Sequence, residues 1–245
     1  DLYTDLCVQP GVTVRRTALY YCDPEGGVID VSFLDTLHVS ALVYYVQGGE
    51  EGGNALADVL SGKVNFSGKL ATSWAYRFED IPSNNTYSYL APDKHNQEYN
   101  EGLYVGYRYF DSFGVEPLYP FGYGLSYTDF EYRGLALDRT SIAPGESITA
   151  SVTVANVGTR RGTAVPQLYI RDCFSSTVKP ERQLCGFARV DLEPGEEKTV
   201  QLVIGPKSMR TLGRDYVWRV EPGEFHVHLG EHAAESRHRC SFTVK

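Results

Sequence analysis

A strand, a glycine-rich turn and a short helix are predicted to follow one another early in the chain. Residues 39–46 (VSALVYYV) form an apolar run typical of a buried strand, and residues 48–53 (GGEEGG) place four glycines around two glutamates. Glycine accepts positive φ and lets two backbones approach closely, so the turn can reverse sharply. A strand that enters a helix through a tight turn is typical of a parallel α/β sheet.

The segment after the turn predicts a short amphipathic helix. Its apolar residues recur at spacings of three and four and form one stripe: Ala55, Leu56, Val59 and Leu60. Gly62 stands where a left-handed C-terminal cap is expected. Glu50 and Glu51 would lie near the positive end of this helix, where carboxylates are favoured.

Four interpretations of this turn stay open on spacing alone. A phosphate-binding loop is disfavoured, because the glycine spacing fits neither known phosphate motif and two carboxylates would repel an anion. The turn could be purely structural. Glu50 or Glu51 could be a catalytic acid, which needs a second carboxylate and an environment that raises its pKa. The loop could also border a ligand crevice at the carboxyl end of a strand.

Composition limits the classes of protein to which the chain can belong. The 245 residues are 42% hydrophobic and 22% charged, which fits a soluble globular protein with a sizeable core. The net charge of −8 without a basic cluster argues against a nucleic-acid partner. No apolar run reaches the roughly 18 residues of a membrane span, so no membrane partner is expected. No motif calls for a cofactor, and none is expected.

The five cysteines show no C-x-x-C spacing and predict neither a zinc site nor a disulfide framework: Cys7, Cys22, Cys173, Cys185 and Cys240. Their odd number favours reduced thiols and, with no signal-like segment at the start, a cytoplasmic location. The opening at Asp1 without a methionine favours a segment of a longer protein.

The remaining residues of the first half of the chain predict an incomplete α/β unit followed by a connector. Residues 17–22 predict a second strand, residues 23–27 a turn, and residues 28–37 a strand end passing into a helix. Two parallel strands are too few to stand alone. Residues 73–127 are rich in tyrosine and proline and predict loops that line a sugar-binding rim or seal a domain interface, of which the interface is favoured.

From residue 130 the hydrophobic period becomes two, which predicts an antiparallel β-sandwich. The predicted strands are residues 130–137, 147–157, 164–171, 185–192, 198–204, 216–220, 224–229 and 240–244. Turns containing Pro-Gly-Glu separate several of them, at residues 143–146, 193–196 and 221–224. His226 and His228 share one face of a strand, but without a third ligand nearby in sequence they favour simple packing over a metal site.

Five stretches resemble glycoside hydrolase family 3, the β-glucosidases and β-xylosidases. GGEEGGNALADVLSGKVNFSGKL (residues 48–70) is similar to the family pattern PGQEGGNAxADVLFGxxNPSGKLPxT, with departures at Phe66 and Ala71, where proline is common. YNEGLYVGYRYFDSFGVEPLYPFGYGLSYTDF (residues 99–130) is similar to the family's linker. Residues 152–170, 179–204 and 221–230 are similar to its fibronectin type III-like domain.

The resemblance implies an α/β partial sandwich segment followed by an all-β fibronectin type III-like, immunoglobulin-like sandwich. Residues 1–72 would end the α/β domain, residues 73–127 would be the linker and residues 128–245 the β-sandwich. The implied activity is that of a retaining β-glycosidase of the β-glucosidase type, acting on a β-glucoside or β-xyloside. Its nucleophilic aspartate would lie in a (β/α)₈-type barrel, its acid/base glutamate upstream in the α/β domain, and neither in this chain.

The candidate site residues are correspondingly few. Glu51 matches a family position that is not the usual acid/base, so it is a minor catalytic candidate. Glu50, Tyr104, Tyr107 and Arg108 are candidates for sugar binding, with Arg108 placed to stack or pair with the tyrosines. Two rivals remain beside the glycosidase fragment: a stand-alone carbohydrate-binding or protein-docking module, and a structural piece that needs its partner barrel.

Overall fold

A computed structural model describes residues 17–22, 39–45, 49–86, 95, 96 and 98–245. The predicted turn at residues 23–27, the predicted segment at residues 28–37, and Gly48 and Cys7 lie outside the described residues. No helix within the described residues is long and apolar enough to cross a membrane.

The α/β segment contains two parallel strands and one helix among the described residues. Strand β1 (Thr17–Cys22) pairs with β2 (Val39–Tyr45) in parallel, as the apolar runs predict. Helix α1 (Gly52–Leu60) follows the turn. It ends as predicted: Gly62 has φ 73°, and its N–H donates to the Val59 carbonyl at 2.9 Å.

The connector holds more regular structure than its sequence predicts. A 3₁₀ turn covers Phe78–Asp80, and α2 (Tyr107–Phe113) forms a helix of seven residues. No helix is predicted there, because the flanking prolines and glycines indicate loops. Helix α2 ends at Gly114, which has φ 64° and forms a left-handed C-terminal cap. Glycine adopts this conformation without strain.

The second half is a sandwich built from two main sheets. The strands are β3 (Phe130–Leu137), β4 (Ser141–Ile142), β5 (Ile148–Asn156), β6 (Gly162–Ala164), β7 (Gln167–Asp172), β8 (Gln183–Phe187), β9 (Val190–Leu192), β10 (Glu197–Ile204), β11 (Thr211–Leu212), β12 (Trp218–Arg219), β13 (Gly223–Gly230) and β14 (His238–Val244). The two main sheets have the strand orders β10-β5-β3 and β4-β14-β13-β7-β8, with β6-β9 and β11-β12 as short pairs. A one-turn helix, α3 (Pro206–Met209), joins β10 to β11.

The hydrophobic core lies between these sheets. Alternate residues of β5 point inward, and Ile148 and Val154 are fully buried. Phe225 and Phe242 stack across β13 and β14 with ring centroids 5.4 Å apart. Burial therefore alternates over most of β5, whereas β13 is buried on both faces from Val227 onwards.

Two predicted strands are each divided in the structure. Residues 164–171 belong partly to β6 and partly to β7, because Pro166 lacks the N–H that a continuous ladder needs. Residues 185–192 divide in the same way, since β8 pairs with β7 whereas β9 pairs with β6. The predicted strand at residues 216–220 is reduced to Trp218–Arg219.

The three Pro-Gly-Glu segments do not form three equal turns. Gly145 and Gly195 have φ 90° and 77°, and in both turns the following glutamate accepts a backbone N–H three residues earlier at 2.8 Å. Gly223 instead begins β13. The first two are therefore tight turns with a left-handed glycine, and the third is the start of a strand.

Candidate functional site

The turn between β2 and α1 presents both glutamates to solvent. Gly49 has φ 65°, and its carbonyl accepts the Gly52 N–H at 3.2 Å. Glu50 and Glu51 are exposed, and Glu51 occupies the N-cap position of α1. The Glu51 carboxylate accepts a hydrogen bond from Asn54 Nδ2 at 2.6 Å and caps no backbone N–H. Both carboxylates are therefore open to solvent after the carboxyl end of β2, and that of Glu51 is also bound by Asn54.

A close contact between Gly52 and Tyr45 determines the path of the chain from β2 into α1. Gly52 is buried, and a Cβ added to it would lie 1.9 Å from the Tyr45 hydroxyl. Tyr45 is the last residue of β2, so its side chain reaches over the first turn of α1. The glycine serves close packing here, and the sharp reversal belongs to Gly49.

The second half of the family-like stretch forms a junction between segments. Asn65 Oδ1 accepts hydrogen bonds from Ser126 Oγ at 3.1 Å and from the Tyr127 N–H at 2.9 Å. Its Nδ2 donates to the Arg161 carbonyl at 3.0 Å. One amide thus ties the loop after α1 to the connector and to the sandwich.

Two glycines meet at the same junction. A Cβ on Gly124 would lie 2.3 Å from the Gly68 carbonyl oxygen, so only glycine fits there. Lys69 Nζ donates to the Gly124 carbonyl at 2.6 Å. Phe66, which departs from the family pattern, packs on the Tyr127 ring with centroids 4.8 Å apart. These contacts give residues 65–69 a structural role.

A row of aromatic rings links the α/β segment to the sandwich. The rings run in the order Tyr44, Trp74, Tyr119, Tyr123 and His232, with centroid separations of 5.3, 5.7, 5.5 and 5.9 Å. Trp74 is 6% exposed and forms the centre of a small apolar cluster. The connector's aromatic residues therefore act as an interface, as the favoured interpretation expects.

The tyrosine candidates are engaged by neighbouring residues. The Tyr107 hydroxyl accepts the Leu184 N–H at 2.8 Å, and its ring packs 4.9 Å from Phe121. Arg108 lies 6.0 Å from the Tyr107 ring centroid, at the limit of a cation–π contact. Tyr104 packs edge-on against Phe113. Tyr107 is thus held against the sandwich, whereas Glu50 and Glu51 lie on the exposed turn before α1.

A buried ion pair that spacing did not predict anchors α2 to the sandwich. Arg182 Nε donates to Asp111 Oδ2 at 2.8 Å, and a second contact joins Nη2 to Oδ1. The side chains are only 10% and 15% exposed. The two residues are 71 positions apart in the chain, so no local pattern could have paired them.

A polar cavity of about 430 Å³ lies where Lys69 meets the sandwich, lined in part by Tyr132, Glu231 and His232. Burial lowers the pKa of Lys69, and Glu231 and Glu235 oppose that shift. Burial raises the pKa of Glu231, partly offset by Lys69. Burial also lowers the pKa of His232. Lys69 and Glu231 therefore form a half-buried pair of coupled titratable groups at the junction, with His232 beside them.

The two histidines of β13 differ in their surroundings. His228 is 8% exposed, and burial, with Arg182 and Arg239 nearby, lowers its pKa to about 4. His226 contacts Arg239 Nη2 through Nδ1 at 2.9 Å and lies 3.3 Å from Glu224. Their ring centroids are 6.3 Å apart. His228 is therefore buried, whereas His226 is partly exposed.

Comparison with known proteins identifies two regions of the chain. Residues 24–107 match the family model for the glycosyl hydrolase family 3 C-terminal domain, and residues 164–233 match that for the fibronectin type III-like domain. Thermostable beta-glucosidase B of Acetivibrio thermocellus is 43% identical over 84% of this chain and 27% of its own length. Beta-glucosidase BoGH3A of Bacteroides ovatus is 40% identical over 89% of this chain and 29% of its own length.

Solved structures show the same relationship. A beta-glucosidase from Kluyveromyces marxianus matches 94% of this chain with a TM-score of 0.82 and 33% identity, over 27% of that protein. Beta-glucosidase 3B from Thermotoga neapolitana matches 92% of this chain with a TM-score of 0.81 and 35% identity, over 31% of that protein. The chain thus spans about three tenths of the relatives it matches. It belongs to glycosyl hydrolase family 3, of which it carries the C-terminal part: an α/β segment followed by a fibronectin type III-like sandwich.

Proposed function

We propose that this chain is the C-terminal part of a retaining β-glycosidase of the β-glucosidase type, which hydrolyses terminal β-linked sugars. The observation that carries the proposal is a single alignment across 84% of the chain to a protein named as a β-glucosidase. The role of the chain is to supply part of the sugar-pocket wall and a stabilising module. Its partners are the (β/α)₈-type barrel domain and a β-glucoside or β-xyloside.

The pocket wall in this proposal is the turn before α1. Ligands of open α/β sheets bind beyond the carboxyl ends of the strands, and Glu50 and Glu51 occupy that position after β2. A free carboxylate there can accept hydrogen bonds from sugar hydroxyls. Tyr107 is engaged by Leu184, so it supports the domain interface in this scheme.

The proposed chemistry is shared between this chain and the barrel. In a retaining reaction an aspartate attacks the anomeric carbon while a glutamate protonates the leaving oxygen, and water then releases the sugar. We assign both catalytic carboxylates to residues outside this chain. The domain limits that accompany the proposal are residues 1–72, 73–127 and 128–245.

Activity of the isolated chain tests this division of labour. The purified 245-residue chain should not hydrolyse an aryl β-glucoside, and co-expression with the barrel region of a relative should produce hydrolysis. Glu51→Gln in the combined protein should raise KM more than it lowers kcat if Glu51 contacts sugar, with Lys63→Ala as the exposed control. Turnover by the isolated chain that Glu51→Gln abolishes would overturn the proposal.

A carbohydrate-binding module is the second candidate, because tyrosines stand open in the connector. Tyr99 is 81% exposed and Tyr76 is 54% exposed, and aromatic rings can stack on sugars. Titration of the isolated chain with gluco- and xylo-oligosaccharides distinguishes the two. Saturable binding that Tyr99→Ala removes supports the module, and no binding at about millimolar ligand rejects it.

A further inference from the structure

Three metal-binding side chains meet on the face of the five-stranded sheet that points away from the core. Cys173 follows the last residue of β7, and its N–H donates to the Glu224 carbonyl on β13 at 3.0 Å. Glu224 and His226 are two apart on β13 and therefore project to the same side. The Cys173 Sγ, a Glu224 carboxylate oxygen and a His226 ring nitrogen all lie within 4.8 Å of one another.

We propose that Cys173, Glu224 and His226 form a binding site for Zn²⁺. A thiolate, an imidazole and a carboxylate are the three donor types that zinc uses in proteins. Calcium and magnesium prefer sites made of oxygen ligands, so the thiol and imidazole disfavour both. Three protein ligands leave one tetrahedral position for water.

The donors need only side-chain motion to reach coordinating distance. Zinc bonds of about 2.0–2.3 Å place neighbouring ligand atoms roughly 3.3–3.7 Å apart. His226 Nε2 and Glu224 Oε1 are already 3.3 Å apart. The backbone beneath them is fixed, because β13 pairs with β7 on one side and with β14 on the other. The sheet thus holds Glu224 and His226 in place, and the hydrogen bond from the Cys173 N–H to the Glu224 carbonyl holds Cys173 beside them.

Arg239 is the group that competes with the metal. Its Nη2 lies 2.9 Å from His226 Nδ1 and 3.1 Å from Nε2, so the guanidinium contacts the ring that must bind zinc. Arg239 is exposed on β14 and can turn towards solvent. Arg171, opposite His226 on β7, is engaged by Glu181. On binding, a sulfur–zinc bond replaces the Cys173 sulfur–hydrogen bond, and the thiol proton passes to solvent.

The site is tested on the full 245-residue chain with Zn²⁺ and with Co²⁺ as a spectroscopic substitute. Zinc affinity is measured by competition with a chromophoric chelator. Equimolar binding is expected, with a thiolate-to-cobalt charge-transfer band when Co²⁺ is used. Cys173→Ser and His226→Gln should each weaken zinc binding by about tenfold or more and remove or shift that band. Arg239→Gln should tighten binding by about tenfold, because it removes the competing cation.

Cys240→Ser is the matched control, since Cys240 is a half-buried thiol on the same sheet that packs against the core. It should bind zinc as the wild type does. Thermal unfolding of each variant checks that the sandwich is intact. Equal zinc affinity of the wild type, Cys173→Ser and His226→Gln would overturn the proposal, as would a cobalt spectrum without a thiolate band.

Discussion

The α/β segment and the sandwich contain similar apolar residues but bury them to different extents. In the sandwich, Ile148, Leu192 and Ile204 are fully buried between two sheets. In the α/β segment, Leu60 of α1 is 41% exposed and Tyr44 of β2 is 37% exposed. A sandwich closes its own core, whereas a parallel sheet needs helices on both faces. The α/β segment therefore depends on contacts outside itself, among them those with Trp74 of the connector.

The largest difference should come from removing a ring from the closed core. Phe225 is 1% exposed and stacks on Phe242, so Phe225→Ala should reduce the free energy of unfolding by about 3–5 kcal/mol. The corresponding substitution at an exposed position of α1, Leu60→Ala, should reduce the free energy of unfolding by less than about 1 kcal/mol. Urea unfolding followed by circular dichroism measures both. Similar losses would mean that the α1 surface is as well packed as the sandwich core.

The ion pair that joins α2 of the connector to the sandwich should give the next effect. Arg182→Ala leaves the Asp111 carboxylate buried without its partner and should cost about 3 kcal/mol. Arg161 forms exposed pairs at 3.8 and 3.5 Å, so Arg161→Ala should cost less than about 1 kcal/mol. Urea unfolding, with limited proteolysis of the connector, compares them. Equal sensitivity to protease would show that the connector is held without this pair.

The sandwich should also respond to pH through His228. Its pKa is about 4 in the folded chain, below the ordinary value of 6.5, because burial penalises the charged ring. The unfolded chain therefore binds the proton more tightly, so this contribution to stability is complete above pH 6.5 and is lost as pH falls towards 4. The loss amounts to about 2–3 kcal/mol.

His228→Leu should flatten the dependence of unfolding free energy on pH across this window. The difference in slope between wild type and variant should vanish at about pH 8, where both states hold a neutral ring. Unfolding in urea at a series of pH values gives the comparison. Identical slopes between about pH 4 and 6.5 would contradict the assigned burial effect.

The smallest expected effect comes from alanine substitutions at two adjacent glycines at the start of α1. Gly52→Ala places a methyl group against the Tyr45 hydroxyl and should destabilise α1 by about 1–2 kcal/mol. Gly53 has no atom within 4 Å of the same position, so Gly53→Ala should stabilise the helix by up to about 1 kcal/mol. Amide hydrogen exchange of α1 measures both. Equal protection would mean that Tyr45 moves aside freely.

The sequence pattern predicted the helices and strands that are determined by residues close together in the chain. The apolar runs placed β1 and β2, the glycine at position 62 ended α1, and alternation located β3, β5, β10 and β13. The alternating pattern was wrong where one apolar run contributes strands to two sheets, as around Pro166. The pattern does not show that the residues before and after Pro166 pair with different strands. It also gave no sign of α2, whose position follows from contacts with the sandwich.

For the candidate site, the amino-acid pattern predicted a glycine turn with two carboxylates at the end of a strand, and it carried a family resemblance across most of the chain. The roles of the neighbouring residues follow from their contacts in the folded chain. Asn65 and Lys69 tie the junction, Tyr107 supports the sandwich, and Cys173 comes to lie beside Glu224 and His226. The reason is that period and spacing act within about one element, whereas these contacts join residues that only the folded sheets bring together.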